Sequence, residues 1–473
     1  MTSAIVVGSG PNGLAAAVTL ALAGVEVTVL EAADSIGGGT RTSERTLPGL
    51  LHDHCSAFHP MGLGSPFLRR LDLAAHGVTW RWADVDLAHP LDDGRAAIMT
   101  RSRSEMAASL GRDWQSWRRL FDPLADGFDQ LAAELMRPVV HVPRHPVRLA
   151  RFGPRALAPA AVLARRWQGE EARALFAGLA AHGIYPLTRP TTAAIGLMLA
   201  AAGQRYGWPV AEGGSRAISD ALAKVILDHG GRIETGAVVT ALAELRKADI
   251  VMLDLAPGAV ADLAGDRLPA RVRRAYQRYR HGPGAFKLDL AVEGGIPWTN
   301  PDCRRAGTVH VGGTLEQVVA AEQSVHRGQL PERPFVLVGQ QYLADRTRSN
   351  GDTHPVWAYA HVPAGYDGDA GAAIIGQVER FAPGFRERIV AQVATTPADW
   401  PAYNPNFVGG DILTGANTPW QVVMRPRLAL DPYRTGISGV YLCSAATPPG
   451  GGVHGMCGHN AARSALRALG SAA

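Results

Sequence analysis

Ala4-Ile5-Val6-Val7 runs straight into Gly8-Ser9-Gly10-Pro11-Asn12-Gly13, an Ala/Leu-rich stretch follows, and Val25-Glu26-Val27-Thr28-Val29-Leu30-Glu31 closes the unit. Strand, glycine turn, helix, strand and terminal acid come in the order that a dinucleotide fingerprint requires. Gly8 permits the tight turn, Gly10 lets a pyrophosphate approach the backbone, and Gly13 lets the helix sit close on the sheet. The helix start offers unpaired N–H groups and a positive dipole end, so phosphate binding there needs no cationic side chain. Glu31, eighteen residues beyond Gly13, is placed to accept hydrogen bonds from an adenosine ribose, and its charge repels a 2′-phosphate. The expected nucleotide is FAD or NAD rather than NADP, with Pro11, Asn12 and Ala32 among its contacts.

Gly37-Gly38-Gly39-Thr40-Arg41-Thr42 follows within ten residues of Glu31. Glycines there let a second stretch of backbone run along the same phosphates, and Arg41 can reach phosphate or the edge of a flavin. Here the sequence resembles the FAD-containing amine oxidase and phytoene desaturase superfamily, whose members continue the fingerprint with a Gly-Gly-Arg-like element. The resemblance implies FAD lying extended along the first domain, with Gly38, Gly39, Thr40 and Arg41 beside it.

The far end of the chain carries the same resemblance independently. Gly439-Val440-Tyr441-Leu442-Cys443-Ser444-Ala445 reads as a short buried strand, and Pro449-Gly450-Gly451-Gly452-Val453-His454-Gly455 leads into an Ala-rich helix. In the family this strand closes the FAD sheet, so Ser444 and Ala445 are expected at the pyrophosphate. Gly452, Val453 and His454 are expected at the flavin ring. The Pro-Gly-Gly-Gly-Val-x-Gly pattern is most similar to the phytoene-dehydrogenase-like branch. In the middle, Gly230 to Leu242 carries a strand signal, and the family implies that a valine there offers its backbone to adenine. Val239 is the better match and Val238 the alternative. Lys247-Ala248-Asp249-Ile250-Val251-Met252-Leu253 resembles the family's next strand.

These scattered elements imply an α/β fold: a Rossmann-like FAD-binding domain with a parallel, three-layer sheet, and an interleaved α+β substrate domain. Residues 1–85, 210–280 and 425–473 are expected to form the first. Residues 86–209, mostly helical, and 281–424, with strand-like runs at Ala285–Val292 and Phe335–Val338, are expected to form the second. Trp114, Trp117, Leu120, Phe121 and Leu124 fall at helical spacing and read as core.

At 473 residues, 47% hydrophobic and 19% charged, the chain can bury a large core. Cys55, Cys303, Cys443 and Cys457 have no C-x-x-C spacing, so neither a zinc site nor a dithiol redox centre is supported, and no metal ligand set is expected. A reducing, cytoplasmic setting is the simpler inference, since the first core strand begins at once and no apolar stretch reaches membrane-spanning length. The net charge of +5 comes almost wholly from Arg, Lys occurring only at 224, 247 and 287, and no nucleic-acid motif accompanies it. From Leu135 to Gly169 there are seven Arg and no acid, interleaved with apolar residues such as Val140, Val142, Leu149 and Phe152. The segment reads either as a mouth that touches anionic membrane or as a solvated helical face. Pro143, Pro146, Pro154 and Pro159 favour the second.

No second strand-plus-glycine unit follows residue 60, which argues against a separate NAD domain and a disulfide-reductase plan. The expected chemistry is hydride transfer between flavin N5 and an apolar or isoprenoid-like small molecule, in a desaturase or dehydrogenase, with oxygen or a quinone as candidate electron acceptor. The alternatives are an amine oxidase, for which Trp420 and Tyr433 are present without the expected motif, a flavin-dependent isomerase or reductase, and a non-catalytic FAD-binding scaffold with an occluded pocket. His52, Asp53, His54, Cys55 and His59 follow the Gly-Gly-Gly-Thr-Arg segment. His59 and His454 are the expected proton-transferring residues, eligible through neutral-range titration.

Overall fold

The structure is a computed structural model and describes residues 2–245 and 248–470. Lys247, the first residue of the stretch compared with the family's middle strand, lies outside the described residues.

The opening unit folds as its pattern dictates. Ser3–Val7 pairs in parallel with Glu26–Leu30 on one side and with Ile250–Leu253 on the other. Val440–Leu442 and Arg232–Glu234 extend the sheet in parallel at its two edges, giving the order 440–442, 250–253, 3–7, 26–30, 232–234. Helices Pro11–Ala21, Arg216–Asp228 and Met456–Ala468 pack together on one face, and Pro257–Ala264 and Ala270–Gln277 join the cluster on the other. That is the three-layer, doubly covered arrangement of a parallel sheet. Small residues set how close the layers come: a Cβ on Gly458 would lie 1.8 Å from the Asn12 carbonyl oxygen, across the contact between the first and last helices.

The middle strand is shorter than its sequence suggests. It spans only Arg232–Glu234, because Gly236 turns at φ +67° and the next N–H groups leave the ladder for the Glu31 and Ala33 carbonyls.

A seven-stranded mixed sheet forms the second layer system, in the order 389–395, 284–293, 353–362, 336–339, 306–311, 85–90, 96–99. The strands Val85–Pro90 and Ala96–Met99 lie in the stretch read as mostly helical; their alternation was too short to stand out beside the helices that follow. Helix Trp114–Asp126 buries Trp117, Leu120 and Phe121 as expected, while Trp114 and Leu124, also read as core, are partly buried against the same cluster. Helix Pro146–Ala156 starts on Pro146, and Pro159 precedes a separate short helix.

The two faces of this sheet differ. Phe286, Leu288, Leu290, Val356, Ala358 and their neighbours point into an apolar cluster shared with helix Gly371–Glu379. Lys287, Asp289, Trp357, Tyr359, Leu337, Thr308 and His310 occupy the alternate positions, pairing across the strands as Lys287 with Tyr359, Asp289 with Trp357, and Leu337 with Tyr359 and His310. The sheet therefore turns a face of mixed polarity towards helices Glu170–Ala181 and Thr192–Tyr206 and the cavity between them.

Candidate functional site

One cavity of about 1040 Å³ runs between the two sheets. Its nucleotide end is made of backbone. Gly8 turns at φ +97°, a Cβ on Gly10 would sit 2.8 Å from Asp254 Oδ2, and one on Gly13 would sit 2.1 Å from the Gly8 carbonyl oxygen. In the first turn of helix Pro11–Ala21, Pro11 has no N–H, Gly13 N–H donates to Asp254 Oδ2 at 2.9 Å and Leu14 N–H to the Gly10 carbonyl at 2.9 Å, so Asn12 N–H is the donor left open towards the cavity among the described residues. Asn12 adds a buried carboxamide oxygen that has no partner among the described residues. A Cβ on Gly38 would lie 3.0 Å from Gly10 Cα, which brings the second glycine segment against the first. Bare backbone with an unspent N–H donor, closed by an acid, is the donor set a dinucleotide takes.

Glu31 holds this end in register. Its carboxylate accepts from Ser9 N–H and Ala33 N–H, each at 2.9 Å, and from Arg41 Nη2 at 3.4 Å. Arg41 also donates to the Ser35 and Tyr403 carbonyls, so it stands at the nucleotide end rather than at the far end of the cavity. Asp254 is buried at the cavity wall. Burial pushes its carboxyl up, the Gly13 N–H opposes this, and the charge of Glu31 adds to it, for a value of about 7.

Of the residues expected to touch the cofactor, Gly8, Gly10, Pro11, Asn12, Glu31, Ala32, Gly38, Gly39, Arg41, Val239, Ser444, Ala445, Gly452, Val453 and His454 all line this one cavity. Gly13 and Thr40 do not reach the wall. Gly13 serves the close packing behind it, and Thr40 hydrogen-bonds the Gly37 carbonyl at 2.7 Å and meets Ser219. Val238 lines the wall beside Val239, so the adenine-side choice between them stays open.

His59 and His454 both line the cavity, and neither titrates near neutrality. Burial is the largest cause for each and brings both to about 4. Ser215 Oγ donates to the Ser56 carbonyl at 2.7 Å and so accepts from His59 Nε2–H at 2.8 Å, which leaves His59 Nδ1 as a bare, enclosed acceptor. His454 Nδ1 accepts the Met456 N–H at 3.1 Å, and its ring faces the Gly450 and Gly451 backbone. That geometry suits His454 to fixing the glycine loop ahead of the last helix.

The other residues after the glycine segment are structural supports. Asp53 binds Arg348, Thr42 Oγ1 and Ser215 N–H; burial raises its carboxyl, and Arg348 with these hydrogen bonds outweighs that and leaves it below the ordinary value. His52 and Arg45 lean on Asp289, which pairs with Lys287, all beneath the polar face of the second sheet. His54 does not reach the wall. Cys55 does, but burial pushes its thiol up to about 12, so it stands as a thiol rather than a nucleophile.

Several wall residues carried no sequence signal of their own. Tyr403 donates to the Gly38 carbonyl at 2.6 Å, and Asn406 bridges the Asp254 carbonyl and the Ala256 N–H. The Asn404-Pro405-Asn406 turn signature could have marked this strip, though not its place over the nucleotide end. At the far end His182 lines the wall with Nε2 held by His310 Nε2 at 2.9 Å, and burial holds its ring down at about 3. Thr308 adds a buried hydroxyl without a partner among the described residues. Trp357 and Tyr359 form the aromatic wall, 5.3 Å between ring centroids. Trp420 is exposed and Tyr433 donates to the Pro448 carbonyl; neither lines the cavity.

Comparison with known proteins agrees with this geometry. The family model described as an NAD(P)-binding Rossmann-like domain matches residues 6–71, the stretch that builds the nucleotide end. Across nearly its whole length the chain is similar to pyridine nucleotide-disulfide oxidoreductase domain-containing protein 2 of Rattus norvegicus, at 25% identity over 98% of this chain and 93% of that protein. Among solved structures, an oxidoreductase from Methanosarcina mazei shares the fold with a TM-score of 0.67 at 17% identity, covering 99% of this chain and 100% of that one. Wild-type putrescine oxidase bound to putrescine shares it with a TM-score of 0.60 at 19% identity, covering 99% of each.

Proposed function

We propose that the chain is an FAD-dependent oxidoreductase, held to its cofactor by residues 1–85, 210–280 and 425–473 and to an apolar substrate by the rest. The observation that carries this reading is the continuity of the cavity: a glycine-built strip ending at Glu31 opens into a chamber walled by Ile195, Met198, Leu199, Leu337 and Trp357. The bound flavin would supply the redox step, accepting or returning a hydride. The chain's own residues bind, orient and exclude water. Glu31 would take ribose hydroxyls, the open first turn from Asn12 would take phosphate, and the loop at Gly450–Val453 would bound the ring.

The chamber suits a desaturase or dehydrogenase of the phytoene-dehydrogenase-like kind, because its wall is mostly apolar, with neutral His182 and Thr308 among its few polar groups and Arg425 as a cation on the wall. His59, with a bare Nδ1 fixed by Ser215, is the retained candidate for proton transfer. The names of the relatives support oxidoreductase chemistry. Disulfide chemistry is not favoured, because all four cysteines are free and the one on the wall, Cys55, has no cysteine neighbour in the sequence. An amine oxidase is the second reading, favoured by the Trp357–Tyr359 wall. The open chamber speaks against an occluded scaffold. Among the described residues no helix is long and apolar enough to cross a membrane.

The test is direct. Purified protein should be yellow, with FAD at about one equivalent, and should bleach anaerobically with an oxidisable polyene precursor such as phytoene and not with putrescine. Bleaching by NADH alone would move the assignment to a reductase or isomerase, and colourless protein that takes up no FAD would end it.

A further inference from the structure

Arg425 is 3% exposed and lines the cavity, yet it makes no ion pair among the described residues. Its Nε donates to the Gln421 carbonyl at 3.0 Å and its Nη2 to Asn417 Oδ1 at 2.8 Å, both neutral oxygens. Nη1 has no hydrogen bond among the described residues and lies against the glycine loop, where a Cβ on Gly450 would come within 2.6 Å of it. Asp411, whose charge acts on the same Tyr279 phenol as that of Arg425, is already satisfied: Gly282, Leu413 and Gly415 N–H groups donate to it and His281 sits 3.5 Å away. Asn417 in turn donates to the Gly183 carbonyl, the residue after His182, so the guanidinium joins the glycine loop to the chamber.

A buried guanidinium stays charged, and a buried charge without a counter-charge is strongly unfavourable. Chains tolerate one where a ligand brings the missing charge. We propose that Arg425 is an anion-receiving residue of the cavity, presenting Nη1 to one negatively charged oxygen-bearing group. The inference rests on the cavity reading of the proposed function. Two sources share this chemistry: the electron-rich pyrimidine edge of reduced flavin, and a carboxylate on the substrate.

The experiment separates them on the holoprotein. Sulfite binding to the oxidised flavin, followed by loss of visible absorbance, reports positive charge at the pyrimidine edge; Arg425→Gln should weaken it by about tenfold or more, and Arg425→Lys should restore most of it. Dodecanoate against dodecan-1-ol, followed by quenching of Trp208 and Trp357 fluorescence, reports a carboxylate site; there the native protein should prefer the acid by about tenfold and Arg425→Gln should abolish the preference. Either result supports the proposal and names the source. Native protein that neither binds sulfite nor prefers dodecanoate overturns it, as does a folded Arg425→Gln that changes neither, so the conclusion does not hang on the variant folding. Protein that takes up no FAD would sink the oxidoreductase reading, while the dodecanoate arm would still decide Arg425.

Discussion

At the nucleotide end of the cavity the wall is backbone, and at the chamber end it is side chain. Gly8, Gly10, Gly13 and Gly38 work by what they lack, since a single Cβ at Gly13 would fall 2.1 Å from a carbonyl oxygen. Leu337, Trp357, Tyr359 and His182 work by what they carry, and each could be exchanged for a neighbour in size without breaking the sheet beneath. A backbone site tolerates almost no substitution and binds one kind of group; a side-chain wall on a fixed sheet can change its ligand while keeping its fold. The first end therefore specifies the cofactor and the second is free to specify the substrate.

The most severe break of that contrast is Gly13→Ala. The added methyl must displace the Gly8 carbonyl or lift the helix off the sheet, and both destroy the phosphate strip. Flavin content after gel filtration should fall to about a tenth or less, whereas Leu337→Ala, at the chamber end, should keep full flavin and lose about 3 kcal/mol of stability. Equal flavin loss in both would erase the distinction between the two ends.

Arg348→Met comes next. Arg348 joins Asp53 and Asp345 with all three side chains fully enclosed, and through Asp53 it fixes Ser215 and hence His59. Removing the cation strands two buried carboxylates, for about 3–5 kcal/mol in denaturant unfolding. Asp53 has a depressed folded value, so the stability it lends is present above its unfolded value of 3.8 and is lost as pH falls through the folded one. The gap between native and variant protein should therefore narrow in acid; a gap that is constant down to pH 3 would refute the charge argument.

The contrast also explains what was legible in the chain. The glycine strip, Glu31 and the Pro449–Gly455 loop could be read because backbone requirements act at fixed short spacings, and spacing is what a sequence displays. The chamber could not. Thr308, Leu337, Tyr359 and His182 come from three strands and the end of a helix, and nothing local says that alternate positions of Ala306–Val311 face a cavity instead of a core. His454 was legible only in part: its place in the glycine loop was visible, but the Met456 N–H that occupies its Nδ1 was not. The seven-stranded sheet was seen in part, since Gly284–Glu293 is long enough to show its alternation while Ala96–Met99 is not.

Asp254 is the acid set against the first turn of the helix, behind the phosphate strip that Glu31 closes, and it tests whether backbone alone governs that end. Its folded value is raised to about 7, so its contribution is present below the unfolded value of 3.8 and is lost as pH rises through about 7. Asp254→Asn keeps an acceptor for Gly13 N–H and removes the titration. Between pH 4 and 8 the variant should gain on the native protein by on the order of 3 kcal/mol, and hold flavin more tightly above pH 7. A stability difference that does not change with pH would show that Asp254 is ionised throughout.

The smallest effect belongs to the chamber. His182 Nε2 is taken by His310, Nδ1 has no hydrogen bond among the described residues, and burial, helped by His361, keeps the ring neutral with a value of about 3. Diethyl pyrocarbonate reacts with neutral imidazole, so modification of an ordinary histidine slows as pH drops below about 6.5. Modification of His182, mapped by peptide mass, should instead vary less than about twofold from pH 5 to 8, and a bound apolar molecule such as dodecan-1-ol should protect it. The two outcomes are independent: a rate that falls with pH would mean that the ring gains a proton in the chamber, and no protection would mean that Nδ1 faces away from the ligand. If His182 behaves as expected, the chamber presents a neutral hydrogen-bonding group to its substrate at every physiological pH, which leaves Arg425 to supply the charge.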